Sequence, residues 1–214
     1  MDIDQLVKLI RMSCAEKTLA LYFVRHGQST GNALHAGCLV NNDDPLTEQG
    51  VTEAASIATH FKKADLKAAA IYSSPLQRTQ STAKPLADVL ELPVVVIENL
   101  RERRWGEWGG WVWTDVSAQL ENMTLDQRYT FVPPGNNGES WQQMEVRLLK
   151  AVGDAVAAAP AKSGIVFVTH HGCLRCILPM LAGEGRAAHA QFSVKTGTVT
   201  RFADNKVTLD IAAQ

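Results

Sequence analysis

The apolar run Leu19-Ala20-Leu21-Tyr22-Phe23-Val24 stops abruptly at Arg25-His26-Gly27. Six apolar residues bounded in this way read as a buried strand. A strand that delivers a guanidinium and an imidazole side by side at its C-terminal end delivers them to a crevice. In open α/β sheets that crevice is where a ligand lies. Arginine suits a phosphate because its rigid fork can give two parallel hydrogen bonds. A histidine beside it can attack phosphorus. For the tripeptide alone, a strand that happens to end in polar residues is the alternative.

The rest of the chain alternates strands with helices. Ile3, Leu6, Val7, Ile10 and Cys14 recur at helical spacing, which predicts a helix at about 2–15. A second helix is expected from about Val51 to Lys63, with Thr47 as N-cap and Val51, Ala54, Ile57, Ala58 and Phe61 inward. Strands are expected at 68–73, 94–97 and 165–169, and helices at about 76–90, 140–159 and after 172. Trp141, Met144, Leu148, Val152 and Val156 form the inward stripe of the 140–159 helix. Two further strands, near 197–202 and 206–211, read as an antiparallel edge. Residues 99–140, rich in Trp, Gly and Asn, read as an irregular lid or substrate-facing insertion. This pattern predicts an α/β fold, a three-layer α/β/α sandwich around a mostly parallel sheet with one antiparallel edge strand. A single domain over residues 1–214 is expected.

Composition excludes several classes. A net charge of -1 gives no electrostatic case for nucleic acid or an anionic membrane. No stretch approaches the roughly 20 apolar residues of a membrane span, and the acidic start Met1-Asp2-Ile3-Asp4 is unlike a signal peptide. Cys14, Cys38, Cys173 and Cys176 are too sparse for a disulfide scaffold. These features predict a reduced, cytoplasmic protein.

Three strand ends carry chemistry: Arg25-His26-Gly27, Ser73-Ser74-Pro75-Leu76-Gln77-Arg78, and His170-His171-Gly172. A parallel sheet brings them to one edge, where two arginines and two histidines would converge on a phosphoryl dianion. Asn32 could add an amide hydrogen bond. Gly27 and Gly172 would leave room for close backbone approach.

Val24-Arg25-His26-Gly27-Gln28-Ser29-Thr30-Gly31-Asn32 resembles the signature of the histidine phosphatase (phosphoglycerate mutase-like) superfamily. So do Asp44-Pro45-Leu46-Thr47-Glu48-Gln49-Gly50, Ser73-Ser74-Pro75-Leu76-Gln77-Arg78-Thr79, Leu100-Arg101-Glu102 with Gly106-Glu107-Trp108, and Val168-Thr169-His170. The resemblance implies His26 as nucleophile, with Arg25, Arg78 and His170 completing the phosphate pocket. It also implies Asn32 as an added phosphate contact and Glu102 as proton donor. No metal or cofactor is implied. The expected substrate is a small phosphomonoester. Residue 171 is commonly glycine in the family, so His171 is a departure. It reads as a solvent-facing loop residue, with substrate contact as the alternative.

Mutases of this family use extra cations from a long insertion, and between Trp105 and Ser140 this chain offers only Arg128. Water is then the expected acceptor, which favours hydrolysis. A mutase and a catalytically inactive phospho-ligand binding module are the alternatives. Arg103 is taken as a further substrate contact, or else one of Arg103 and Arg104 pairs with an acid such as Glu107 at the surface. Trp105, Trp108, Trp111 and Trp113 read as a plug sealing the insertion. Trp111 and Trp113 could instead share one face of an extended segment and wall an apolar leaving group. Cys173 and Cys176 read as core residues. A lowered pKa at Cys173, from its place at a helix N-terminus, is the alternative. His35 reads as a loop residue that could line the pocket.

Overall fold

The structure is a computed structural model that describes residues 2–34 and 43–210, so His35 and Cys38 lie outside the described residues. Among the described residues, strands β1 (Ala20–Arg25), β2 (Ala70–Ser73), β3 (Val94–Val96), β4 (Gly164–Thr169), β5 (Val199–Ala203) and β6 (Lys206–Asp210) form one sheet. Its order is β3-β2-β4-β1-β5-β6. The first four strands run parallel, whereas β5 runs against β1 and β6 pairs antiparallel with β5. The antiparallel edge is therefore a hairpin. Its two central residues, Asp204 and Asn205, have φ of 52° and 57°. Both are positive, as the tight turn that matches strand twist requires.

Both faces of the sheet are buried, which is why the central strands are apolar throughout rather than alternating. Leu21, Phe23, Ile165 and Phe167 pack with α1 (Ile3–Lys17), α7 (Trp141–Ala158) and α8 (His171–Ala182). Tyr22, Val24, Val166 and Val168 point the other way, onto α3 (Glu48–Lys63) and α4 (Gln77–Leu90). The three-layer sandwich follows. The N-terminal helix is tied on by Lys17, whose Nζ donates to the carbonyls of Val156, Ala157 and Ala159 at 3.0, 2.8 and 3.0 Å. A cation there closes the exposed carbonyls at the C-terminal end of α7. No helix among the described residues is long and apolar enough to cross a membrane.

Two sequence expectations change. Helix α3 begins at Glu48, with Thr47 capping the N–H of Gly50, and this rotates Val51 outward to 58% exposure. Gly50 takes the inward place, where any side chain would collide with the carbonyl of Gln28. The second change is the insertion, which is more ordered than its composition suggested. It contains helices α5 (Trp113–Gln119) and α6 (Leu125–Thr130) and 3-10 turns at Glu98–Leu100 and Gly106–Trp108. Thr124 and Gln127 close α6 with a reciprocal capping box. Trp105, Trp108, Val116 and Leu120 form a small core of its own, against Phe131 and Trp141.

The tryptophan plug is thus real for Trp105 and Trp108. Trp111 stacks on Trp108 at 5.7 Å, and Trp113 meets Trp105 edge-on at 6.1 Å. They do not share an extended face, because Trp113 already opens α5.

Candidate active site

Register brings the three strand ends level. Arg25 pairs with Thr169, and Ser73 with Val168. The ladder continues one step further: the His26 N–H donates to the Thr169 carbonyl at 3.1 Å, and the Ser74 N–H to that of Val168 at 3.0 Å. His26, Ser74 and His170 therefore leave the sheet side by side. A short helix, α2 (Thr30–Leu34), follows the first of these ends.

His26 is buried, and its Nδ1 lies 2.7 Å from the Gly27 carbonyl. A carbonyl only accepts, so Nδ1 carries the proton and Nε2 presents its lone pair. Arg78, from the first turn of α4, donates its Nε to that Nε2 at 3.3 Å. Burial, then the charges of Arg78 and Arg25, hold the His26 pKa well below the ordinary value. The ring is neutral, and Nε2 is available to attack an electrophile.

His170 precedes α8 and is fully buried, with its ring centroid 5.1 Å from that of His26. Its Nε2 is 2.8 Å from the Ser74 hydroxyl. Its Nδ1 is buried with no partner among the described residues. Burial and Arg78 push its pKa well down. Arg25 gives Nη1 to the Val194 carbonyl at 2.6 Å, while its Nε is buried without a partner among the described residues. Buried donors are nearly always satisfied. An unpartnered guanidinium N–H and an unpartnered imidazole nitrogen beside the His26 Nε2 lone pair describe a cradle for an anion.

Glu102 completes the group. One carboxylate oxygen accepts the N–H of Arg103 at 2.8 Å, and the other accepts the N–H of Gly172 at 3.0 Å, in the first turn of α8. A side chain at 172 would overlap the Glu102 carboxylate and displace it, so the glycine there leaves room for the acid. Glu102 also bears electrostatically on Arg25 and Arg78. Each carboxylate oxygen retains a second lone pair for a proton.

Several sequence-predicted residues sit elsewhere. Gly27 does not open space for a ligand, because a side chain there would strike the backbone of Gly50, which fills that space. Its contribution is the carbonyl that fixes the His26 tautomer. Arg103 does not face the pocket. It is buried between the rings of Trp105 and Trp141, 4.1 and 4.5 Å from their centroids, and donates Nε to the Glu139 carbonyl at 2.8 Å. A planar cation stacks well on indole, and the two rings hold it inside the insertion. Arg104 is half-exposed and lies 3.7 Å from Glu139, not against Glu107. Asn32 uses its Oδ1 to accept from the Ser29 N–H and hydroxyl at 3.2 and 3.1 Å, which leaves only its Nδ2 end as a donor.

His171 is the first residue of α8, not a loop residue. It is half-buried, with Nδ1 3.3 Å from Arg25 Nη1 and 3.2 Å from the Val194 carbonyl. Cys173 and Cys176 are core residues. Burial and the nearby Glu102 raise the Cys173 thiol to about 12, so the helix terminus does not activate it. Sequence reasoning passed over Ser74, Glu139 and Arg147. Ser74 stood within a recognised segment. The pairing of Glu139 with Arg147 had no local pattern to reveal it.

The model of the histidine phosphatase superfamily (branch 1) matches residues 21–210. A 2,3-bisphosphoglycerate-dependent phosphoglycerate mutase from Bartonella bacilliformis is 34% identical over 172 residues, covering 76% of this chain and 81% of the relative. A protein of Hydrogenobacter thermophilus, provisionally named phosphoserine phosphatase 2, is 32% identical over 77% of this chain and 79% of its own. Among solved structures, a mycobacterial glucosyl-3-phosphoglycerate phosphatase superposes with a TM-score of 0.73 at 27% identity. That match covers 90% of this chain and 97% of the other.

Proposed function

The chain belongs to the histidine phosphatase superfamily, and we propose that it hydrolyses a small phosphorylated metabolite through a phosphohistidine on His26. Membership makes it a phosphatase or a mutase. The observation that carries the phosphohistidine is the cradle: a neutral His26 whose Nε2 lone pair meets the Arg78 Nε–H, set beside Arg25 Nε and His170 Nδ1, both without partners among the described residues. A phosphoryl group is the ligand whose oxygens would satisfy those groups.

The reaction runs in two steps. His26 Nε2 forms a bond to phosphorus as the ester P–O bond breaks, and Glu102 gives its proton to the departing alcohol oxygen. Arg25, Arg78 and His170 stabilise charge on the remaining phosphoryl oxygens, the work that a metal does in other phosphoryl transferases. Water then attacks the phosphohistidine, its proton passes to the Glu102 carboxylate, and inorganic phosphate leaves. Asn32 Nδ2 is an added phosphate contact in this reading.

A mutase needs cations for a second acidic group. Arg128 donates to the carbonyls of Met123 and Glu121 at 3.1 and 3.2 Å, and Arg103 is enclosed by tryptophans. Arg103 and Arg128 thus serve the insertion, which supports water as acceptor. We read residues 1–214 as one domain and, from its sparse cysteines, the protein as cytoplasmic.

The test is phosphate release from a panel of phosphomonoesters, including 3-phosphoglycerate and p-nitrophenyl phosphate, in excess EDTA. Release that persists with the chelator is expected. Interconversion of 2- and 3-phosphoglycerate after a bisphosphate primer, with no release, would overturn hydrolysis in favour of the mutase.

A further inference from the structure

Glu139 is 2% exposed and lies outside the phosphate pocket, yet its carboxylate accepts three hydrogen bonds. Its oxygens accept from Arg147 Nε at 2.6 Å and Nη2 at 2.8 Å, a two-pronged pairing. The rest of the Arg147 guanidinium reaches backbone: Nη1 donates to the Asn99 carbonyl at 2.7 Å, and Nη2 to the Glu102 carbonyl at 3.3 Å. Glu139 grips the same segment from its other side. Its N–H donates to the Arg104 carbonyl at 2.9 Å, its carbonyl accepts Arg103 Nε, and its carboxylate accepts the Arg104 N–H at 3.3 Å.

We infer that the Glu139–Arg147 pair is a positioning device for Glu102, holding residues 99–104 so that the carboxylate meets the first turn of α8. The inference rests on the hydrolytic reading given above. Arg147 stands on α7, whose neighbouring Met144 and Leu148 are fully buried, so its own position is rigid. Glu139 directly precedes Ser140, the N-cap of the same helix, whose capping box with Gln143 fixes the helix start. The backbone of Glu102 is therefore held by α7 and its carboxylate by α8.

Stability alone does not explain an ion pair at this depth. Apolar side chains of similar volume often replace buried pairs without loss of stability. They cannot bind two carbonyl oxygens, whereas a guanidinium with a fixed carboxylate behind it can. A general acid must sit within hydrogen-bond reach of the leaving oxygen, and a shift of about 1 Å is enough to cost a large factor in rate.

The test compares kcat/KM for two esters, because that ratio reports the steps up to departure of the leaving group. Glycerol 2-phosphate releases an alkoxide that needs a proton, while p-nitrophenyl phosphate releases a stabilised anion that does not. Glu139→Gln is expected to lower kcat/KM by about a hundredfold on the first ester and by less than about fivefold on the second. Glu102→Gln should show the same selectivity. If Glu139→Gln does not fold, Arg147→Lys reads the same ratio, since it keeps the ion pair and cannot span both carbonyls. Equal losses on the two esters, or no loss, would overturn the positioning role. Wild-type protein inert on both esters would instead overturn the hydrolytic reading.

Discussion

The strand-end pocket and the 99–140 insertion use the same residue types to opposite ends. Among the described residues, Arg25 Nε and His170 Nδ1 at the pocket are buried without partners, and His26 Nε2 has only the Arg78 N–H against its lone pair. In the insertion, Arg128 closes two carbonyls, and Arg103 is stacked between Trp105 and Trp141 while bonding the Glu139 carbonyl. The first region holds polar groups on rigid β-strands and leaves their bonding capacity open. The second uses its bonding capacity in holding itself together, with Arg103 Nη1 left without a hydrogen-bond partner among the described residues but enclosed by the two indole rings. An arginine near a candidate site is thus no sign of ligand contact until its donors are accounted for.

The largest expected effect breaks the pocket alone. His26→Ala should lower phosphate release to under about a hundredth of wild type, as loss of a nucleophile does. Its unfolding temperature should stay within a few degrees of wild type, because the ring's partners are only the adjacent Gly27 carbonyl and the Arg78 Nε–H. Assays of released phosphate with a calorimetric scan decide it. Activity retained above that level would remove His26 from the role.

An intermediate effect sharpens the division. Trp108 is buried and stacks on Phe131 at 5.2 Å, so Trp108→Ala should cost about 3–5 kcal/mol of stability. Inorganic phosphate should still inhibit with a constant within about threefold of wild type, since its donors lie on the strand ends. Urea unfolding and phosphate inhibition measured together check this. Phosphate affinity that falls in step with stability would show that the two regions are not separable.

The smallest effect concerns acid. Burial holds the pKa values of His26 and His170 well below their ordinary value of 6.5. Above that value both histidines are neutral whether the chain is folded or unfolded, so they leave stability level. Below it the unfolded chain binds protons that the folded pocket refuses, and stability falls until the folded pKa is passed. The unfolding temperature should drop by a few degrees between about pH 7.5 and 5. His170→Gln should flatten that slope and Trp108→Ala should leave it unchanged, as scans across the pH range would reveal.

Local chemistry was enough to read the pocket. The run ending at Arg25-His26-Gly27, the segment Ser74 to Arg78 and the end at His170 each state their strand and their reactive groups within a few residues. Parallel pairing then leaves little freedom in how those ends meet. The family resemblance was equally legible, and the match over residues 21–210 agrees with it. The insertion resisted the same reading because its helices are short. α5 and α6 span seven and six residues, too few to establish a periodic pattern against the surrounding Trp and Gly.

Sequence alone determined the order of the strands and of the long helices, the identity of the groups at the sheet edge and the absence of further cations beyond Arg128 between Trp105 and Ser140. These are properties of short stretches, governed by hydrophobic period and by what each side chain can do. Only the tertiary structure decided where the ambiguous residues went. Arg103 turned inward because two indole rings and a carbonyl were there to receive it. Gly27 and Gly172 proved to serve Gly50 and Glu102 rather than a ligand. The Cys173 thiol has its pKa raised by burial rather than lowered by the helix terminus. Each outcome depends on atoms brought close from distant parts of the chain, and no local pattern encodes that proximity.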